Sequence, residues 1–230
     1  LTVGNYGGRQ FFGHADIGGP VGDDSGLGYR LNVLYQDGDT VVDDQQLRRA
    51  MVSGSADWQP QDSLSLRLNA SSKDYRLDGR QFQFFLGGDV PAPLDGTKLY
   101  APRDTFVDID TDEVHAAMDY APDAAFKLRM AAQRKKDARA MVYGIGSLLP
   151  GGTQYSMNLF GGKLDTLSEG GYAYLDTTFT TGRIAHALTL GVNGLRYRNR
   201  LAMLPHGTPF LFDGPYTLDL ADGDAAGLAV

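Results

Sequence analysis

The chain contains no cysteine, which excludes disulfides and thiolate metal sites. It also has no run approaching the ~18 consecutive apolar residues of a membrane-spanning helix, so helical membrane proteins are excluded. Positive charge is scarce: 21 Lys and Arg stand against 28 Asp and Glu, for a net charge of −7. No basic face dense enough for nucleic acid is present, and no nucleic-acid partner is expected. Catalytic signatures are lacking as well. His14, His115, His186 and His206 are scattered, without the i, i+4 spacing of a helical zinc site, and there is neither a G-x-S-x-G nor a P-loop. Gly144-Ile145-Gly146 and Gly151-Gly152 lack the strand-to-helix context of a nucleotide fingerprint. Asp108, Asp110 and Asp112 open like a calcium loop, yet Glu113 stands where an EF-hand needs Gly and Asp119 replaces the bidentate Glu. No catalytic residue, cofactor or metal site is therefore expected. The chain starts at Leu1 without a signal peptide, and the expectation is a piece of a longer exported protein.

What the sequence does contain is alternation. In Phe126 to Gln133, the residues Phe126, Leu128, Met130 and Ala132 fall on one side of a strand, and Lys127, Arg129 and Gln133 on the other. Leu64, Leu66, Leu68 and Ala70 alternate with Ser63, Ser65, Arg67, Asn69 and Ser71; Leu27, Tyr29, Leu31, Val33 and Tyr35 alternate with Gly28, Arg30, Asn32 and Gln36. Ile184, His186, Leu188, Leu190 and Val192 form a fourth apolar face, on which His186 reads as an interfacial residue beside a turn. Weaker faces are Val114, Ala116, Met118 and Tyr120, and Ala50 to Trp58 in steps of two. With 30 glycines and a mean hydropathy of −0.27, the composition suits a β-rich chain with many turns.

The connections between these stretches alternate in length. Tight ones at Pro20 to Gly26, Gln59 to Asp62, Ala121 to Ala124 and Thr181 to Arg183 carry turn residues such as Pro122-Asp123 and Gly182. Long ones fall near Asp37 to Arg48, Leu77 to Asp108, Ala140 to Thr166 and from Asn199 onward. An outer-membrane β-barrel has this one-sidedness, with periplasmic turns short and external loops long. A soluble β-sandwich, as a binding module or a glycan-active enzyme, alternates for the same geometric reason but gives no cause for it. A passive porin-like barrel shares the whole pattern.

Beyond this pattern, several runs resemble a known family. Thr2-Val3-Gly4-Asn5-Tyr6-Gly7, Ala15-Asp16-Ile17-Gly18-Gly19-Pro20-Val21, Leu27-Gly28-Tyr29-Arg30-Leu31-Asn32 and Tyr35-Gln36-Asp37-Gly38-Asp39 are similar to the first barrel strands of TonB-dependent siderophore receptors. Asp57-Trp58-Gln59-Pro60-Gln61-Asp62-Ser63-Leu64 resembles their second periplasmic turn. The resemblance covers most of residues 1–200. It implies an all-β chain: an antiparallel transmembrane barrel portion of about nine meander strands from a 22-stranded barrel, with the plug domain absent. The expected strands are 1–7, 10–19, 27–38, 48–59, 63–76, 109–120, 125–139, 167–180 and 184–198, with 199–230 a truncated extracellular loop. Residues 1–230 would thus be one partial barrel domain.

The same resemblance implies an outer-membrane receptor of a Gram-negative bacterium, not an enzyme, that binds a ferric siderophore as its transported ligand. Import would use energy relayed by TonB, acting on the plug. On the long loops, Phe82, Phe84, Phe85, Tyr100, Arg103, Tyr143, Tyr155 and Phe160 are the expected ligand contacts. Aromatic rings pack on an apolar chelate shell and a guanidinium meets an anionic one. The competing reading is that these aromatics pack loop on loop or form an interfacial girdle. Arg134 and Lys136, in the charge run at the outer end of a strand, are the expected contacts to lipopolysaccharide, alongside outer-membrane lipid.

Overall fold

A computed structural model of the protein describes the backbone of residues 1–22, 24–81, 83–86, 93–202 and 211–219. Eleven strands form one sheet: β1 (Thr2–Asn5), β2 (Phe11–Pro20), β3 (Leu27–Asp39), β4 (Gln46–Gln61), β5 (Leu64–Asp78), β6 (Gln83–Phe85), β7 (Phe106–Asp123), β8 (Phe126–Leu148), β9 (Gln154–Thr181), β10 (Ile184–Ala202) and β11 (Leu211–Asp219). The main path is a meander, β1-β2-β3-β4-β5-β7-β8-β9-β10, every step antiparallel. Its nine strands correspond one for one to the nine expected from the sequence.

Registers run unbroken through the body of the wall. Along the meander they shift only beside two tight turns, between Trp58 and Gln61 and between Tyr120 and Asp123. A side chain therefore keeps its face along its whole strand. The outward face carries Leu66, Met118, Met130, Ala173 and Val192 in one continuous cross-strand series. These side chains pack beside one another, yet no second layer covers them among the described residues. Val192 stays 68% exposed and Leu190 55%. A sandwich would place a second sheet there, whereas a lipid-facing wall requires a bare face. From Ile184 to Val192 the outward apolar stretch of β10 spans nine residues, the length of strand that crosses a bilayer when tilted by about 45°.

The inward face is polar and ion-paired. Arg30 Nε donates to Asp16 at 2.8 Å, Arg67 pairs with Asp119 at 2.7 Å and Arg129 with Asp176 at 2.8 Å. A depression of about 510 Å³ on the outward face is lined by Trp58, Leu66, Leu68, Met118 and Met130. One of about 370 Å³ on the inward side is lined by Asn32, Ser53, Asn69, Glu113 and His115. The two sides of one wall thus offer opposite solvents. Near the tight turns the outward rings form a girdle: Tyr120 meets Phe126 edge-on at 6.3 Å, and Phe179 stacks on His186 at 4.8 Å.

Two features depart from the expected layout. The connection read as a loop at 140–166 is mostly strand: β8 runs on to Leu148 and β9 begins at Gln154, so the hairpin extends well past the band. Within the stretches expected as the loops at 77–108 and 199–230, β6 pairs parallel to the end of β8 and β11 pairs with the start of β9. The hairpin stays extended because each of its strands finds a new neighbour where the meander's next strand has ended. A glycine makes one of the bends near this end possible. Gly38 sits at φ +132°, and a Cβ there would lie 2.1 Å from the Arg9 carbonyl oxygen, so β3 can close against the β1–β2 connection only without a side chain.

Candidate functional site

Above the band, β6, the end of β8, the start of β9 and β11 make a four-stranded external leaf. Its two faces differ as the wall's do. On the face that continues the outward parity, Tyr155, Met157 and Leu159 are fully buried against Leu99, Tyr100 and Ala101 of the 93–105 segment. Opposite Met157 and Leu159 on β8 stand Gly146 and Gly144, both buried. The Tyr155 hydroxyl donates to the Tyr100 carbonyl at 3.0 Å. Burial pushes the Tyr155 phenol up to about 12, since the phenolate would have to form away from water. This cluster is the only buried hydrophobic core among the described residues, and it clamps the long connection to the hairpin.

The other face of the leaf continues the inward parity and carries exposed and half-buried aromatic and cationic side chains. Tyr143 and Phe160 lie opposite each other across the β8–β9 pair and stack with ring centroids 5.8 Å apart. The Arg80 guanidinium covers the Tyr143 ring at 4.9 Å and reaches the Met141 sulfur. Phe85, 59% exposed, is in register with Ser147 of the same face. Arg139 lies four residues down β8 from Tyr143, exposed and on this side. The arrangement is a partly solvated aromatic platform with a fixed cation at its edge, suited to a ligand that is part aromatic or acyl and part anionic.

The structure sorts the sequence-predicted residues into groups. Tyr143, Phe160 and Phe85 share the inward-parity face. Tyr100 and Tyr155 sit together in the buried cluster, where they pack loop on hairpin. Arg103 pairs with Asp44 at 2.9 Å, linking the 93–105 segment to the β3–β4 connection. Phe84 occupies the β6 position in register with Gly146, and Phe82 lies outside the described residues. Arg134 and Lys136 are exposed on the outward face just above the apolar band, Arg134 lying 3.6 Å from Glu169. Their neighbour Lys135 has the opposite parity and pairs with Asp137 at 3.2 Å.

Sequence reasoning missed Arg80. Its only signal is an arginine one residue after Gly79, where β5 ends and the chain must turn. Asp74, Asp108 and Asp110 also gather, with carboxylate oxygens within 4.8 Å of one another; Arg76 bonds Asp108 at 2.9 Å and Arg48 lies 3.6 Å from Asp74. Arginine thus provides the counter-charge to that group.

No protein-family model matches the chain. The ferrichrome receptor FcuA of Yersinia enterocolitica is 27% identical to it over 113 residues, which are 48% of this chain and 15% of that protein. In structure the chain is similar to BauA, the ferric preacinetobactin receptor of Acinetobacter baumannii, with a TM-score of 0.75 and 20% identity, covering 90% of this chain and 32% of the other. It is also similar to FpvA, the pyoverdine outer-membrane receptor of Pseudomonas aeruginosa bound to pyoverdine, with a TM-score of 0.66 and 14% identity, covering 91% and 34%. The chain spans about a third of the length of these two structures. The nine-strand meander therefore has the fold of part of the β-barrel of TonB-dependent siderophore receptors.

Proposed function

We propose that the complete protein is an outer-membrane receptor that binds a ferric siderophore and imports it with energy relayed by TonB. The observation that carries this reading is the stacked Tyr143–Phe160 pair with Arg80 at its edge. It lies on the hairpin that rises from the wall and on the face continuous with the barrel interior. Ferrichrome, preacinetobactin and pyoverdine receptors are the proteins the chain is similar to, which supports a ferric chelate as the ligand. In this reading Tyr143, Phe160 and Phe85 pack on the chelate shell and Arg80 and Arg139 meet its negative charge. Tyr100, Tyr155 and Arg103 hold the loop that frames the site. Arg134 and Lys136 face the outer leaflet and contact lipopolysaccharide.

Replacing Tyr143 and Phe160 with Ala and Arg80 with Gln in the full-length protein tests the site. Against a panel of ferric hydroxamates, catecholates and mixed chelates, the affinity for the cognate chelate is expected to fall about 10- to 100-fold, roughly 1.4–2.8 kcal/mol. Heat-modifiable mobility should stay unchanged. Unaltered affinity would remove the platform from the site. Uptake of the radiolabelled chelate should stop when the proton-motive force is collapsed; persistent uptake would identify a passive pore instead.

A further inference from the structure

Arg80 stands at the edge of the Tyr143–Phe160 platform but lies between strands, after β5 ends at Asp78 and before β6 begins at Gln83. The backbone groups of its turn are nevertheless all taken. The N–H groups of Gly79 and Arg80 both donate to the Thr105 carbonyl, at 2.8 and 3.3 Å. The Gly79 carbonyl accepts from the Gln45 side-chain amide at 2.8 Å, and the Arg80 carbonyl lies 3.0 Å from the Thr105 hydroxyl. Gln81 continues the pattern with its side chain, which donates to the Lys98 carbonyl and accepts from the Tyr100 N–H at 3.0 Å. Two other connections thus grip these three residues: β3–β4 through Gln45, and the 93–105 segment through Lys98, Tyr100 and Thr105.

Thr105 is fully buried, in a turn closed by its own N–H and hydroxyl on the Pro102 carbonyl at 3.1 and 2.7 Å. A hydroxyl has one proton to donate, so the Pro102 and Arg80 carbonyls share it. Leu99, Tyr100 and Ala101, just before that turn, belong to the buried cluster with Tyr155 and Met157. In the β3–β4 connection, Gln45 is itself anchored, its Oε1 accepting from the Thr40 hydroxyl at 2.7 Å. Gly79, at φ +69°, comes so close to that connection that a Cβ would lie 2.6 Å from the Asp44 carbonyl oxygen, and only glycine permits both the turn and the approach.

We propose that Thr105 and Gln45 are positioning residues for Arg80: they fix its turn so that the guanidinium is already set over Tyr143 when the anionic part of the ligand arrives. Thr105 has no exposed surface and acts only through Arg80. The identity of the ligand rests on the receptor reading; the fixing of the turn does not. A guanidinium held in place loses less conformational freedom on binding than one on a free loop, which raises affinity without adding a contact. The coupling is reciprocal, so an anion bound at Arg80 tightens the turn in return.

The test uses the full-length protein in detergent micelles and two ferric probes, a triply anionic tris-catecholate and an uncharged tris-hydroxamate. With no probe present, hydrogen exchange of the Gly79 and Arg80 amides should be about 10-fold faster in Thr105→Val and in Gln45→Leu than in wild type. Thr105→Ser, which keeps the hydroxyl, should exchange like wild type. Affinity for the anionic probe should fall about 5- to 10-fold in the first two variants and recover in Thr105→Ser, while affinity for the uncharged probe stays within about twofold. In an Arg80→Gln background, Thr105→Val should cause no further loss, because the group it positions is gone. The anionic probe should also slow exchange of the two amides in wild type. If Thr105→Val does not fold, Gln45→Leu reads the same turn through the other connection. Unchanged exchange in a folded variant overturns the proposal, as does faster exchange with undiminished affinity for the anionic probe, or wild type that binds the uncharged probe alone. Wild type that binds neither probe fails the receptor reading, and the exchange rates then decide by themselves whether Thr105 and Gln45 fix the turn.

Discussion

Truncating Tyr155 and Met157 to alanine is expected to detach the external leaf from the loop beneath it while leaving the membrane wall intact. Both side chains are fully buried in the cluster with Leu99, Tyr100 and Ala101. Removing a large buried side chain costs roughly 2–5 kcal/mol, the lost transfer energy plus the cavity left behind. This cluster is the only buried hydrophobic core among the described residues, and the other ties of the 93–105 segment are polar, among them Arg103 with Asp44 at 2.9 Å and the Asp43 N–H with the Thr97 carbonyl at 2.7 Å. The Tyr155 variant also loses the hydroxyl that satisfies the Tyr100 carbonyl. Limited proteolysis of the full-length variant should cut within 93–105 under conditions that spare wild type, and chelate affinity should fall by at least 10-fold. Heat-modifiable mobility should not change, because the cluster sits at the far end of β9, beyond the stretch of β9 that pairs with β10. Loss of the folded barrel itself would show that leaf and wall form one cooperative unit.

The second large effect separates the two faces of one strand. Met130 lies on the outward face of β8 beside Met118 and Ala173, and Gln133 on the inward face beside His115 and Gly170. Met130→Arg is expected to destabilise the barrel in a bilayer by about 2–4 kcal/mol, the cost of a cation near the lipid midplane. Gln133→Arg, three residues away in a polar lumen, should shift stability by less than about 1 kcal/mol. Denaturant unfolding of the full-length protein in lipid vesicles reads both. Equal losses would mean that both faces see the same environment, and the assignment of lipid and lumen would fail.

The wall was legible in the sequence because its physics is local to each strand. Leu64 to Ala70 alternates without exception and Phe126 to Ala132 with only Ala131 out of pattern, Pro122-Asp123 and Gly182 mark turns, and the registers pair the stretches as their parities require. The external leaf was less legible. Gly144 and Gly146, buried opposite Leu159 and Met157, interrupt the alternation at the end of β8 and so hide the strand. Tyr155, Met157 and Leu159 do alternate and carry the signal, but their partners at 99–101 lie more than 50 residues away in sequence. The candidate site divides in the same way. Tyr143 and Phe160 could be named as loop aromatics, and only the β8–β9 register shows that they meet. Arg80 joins them through a turn that no periodicity announces.

Because the chain has no cysteine, a single introduced thiol reports one position, which allows the lipid and lumen faces to be mapped directly. The decisive measurement is a spin-label scan along β8 of the full-length protein in bilayers, one cysteine at a time from Lys127 to Gln133. The account predicts that labels at Leu128, Met130 and Ala132 collide with dissolved oxygen and are shielded from a water-soluble nickel chelate. Labels at Lys127, Arg129, Ala131 and Gln133 should show the reverse preference, giving a period of two. Equal exposure of both sets to the nickel chelate would contradict a lipid-facing wall.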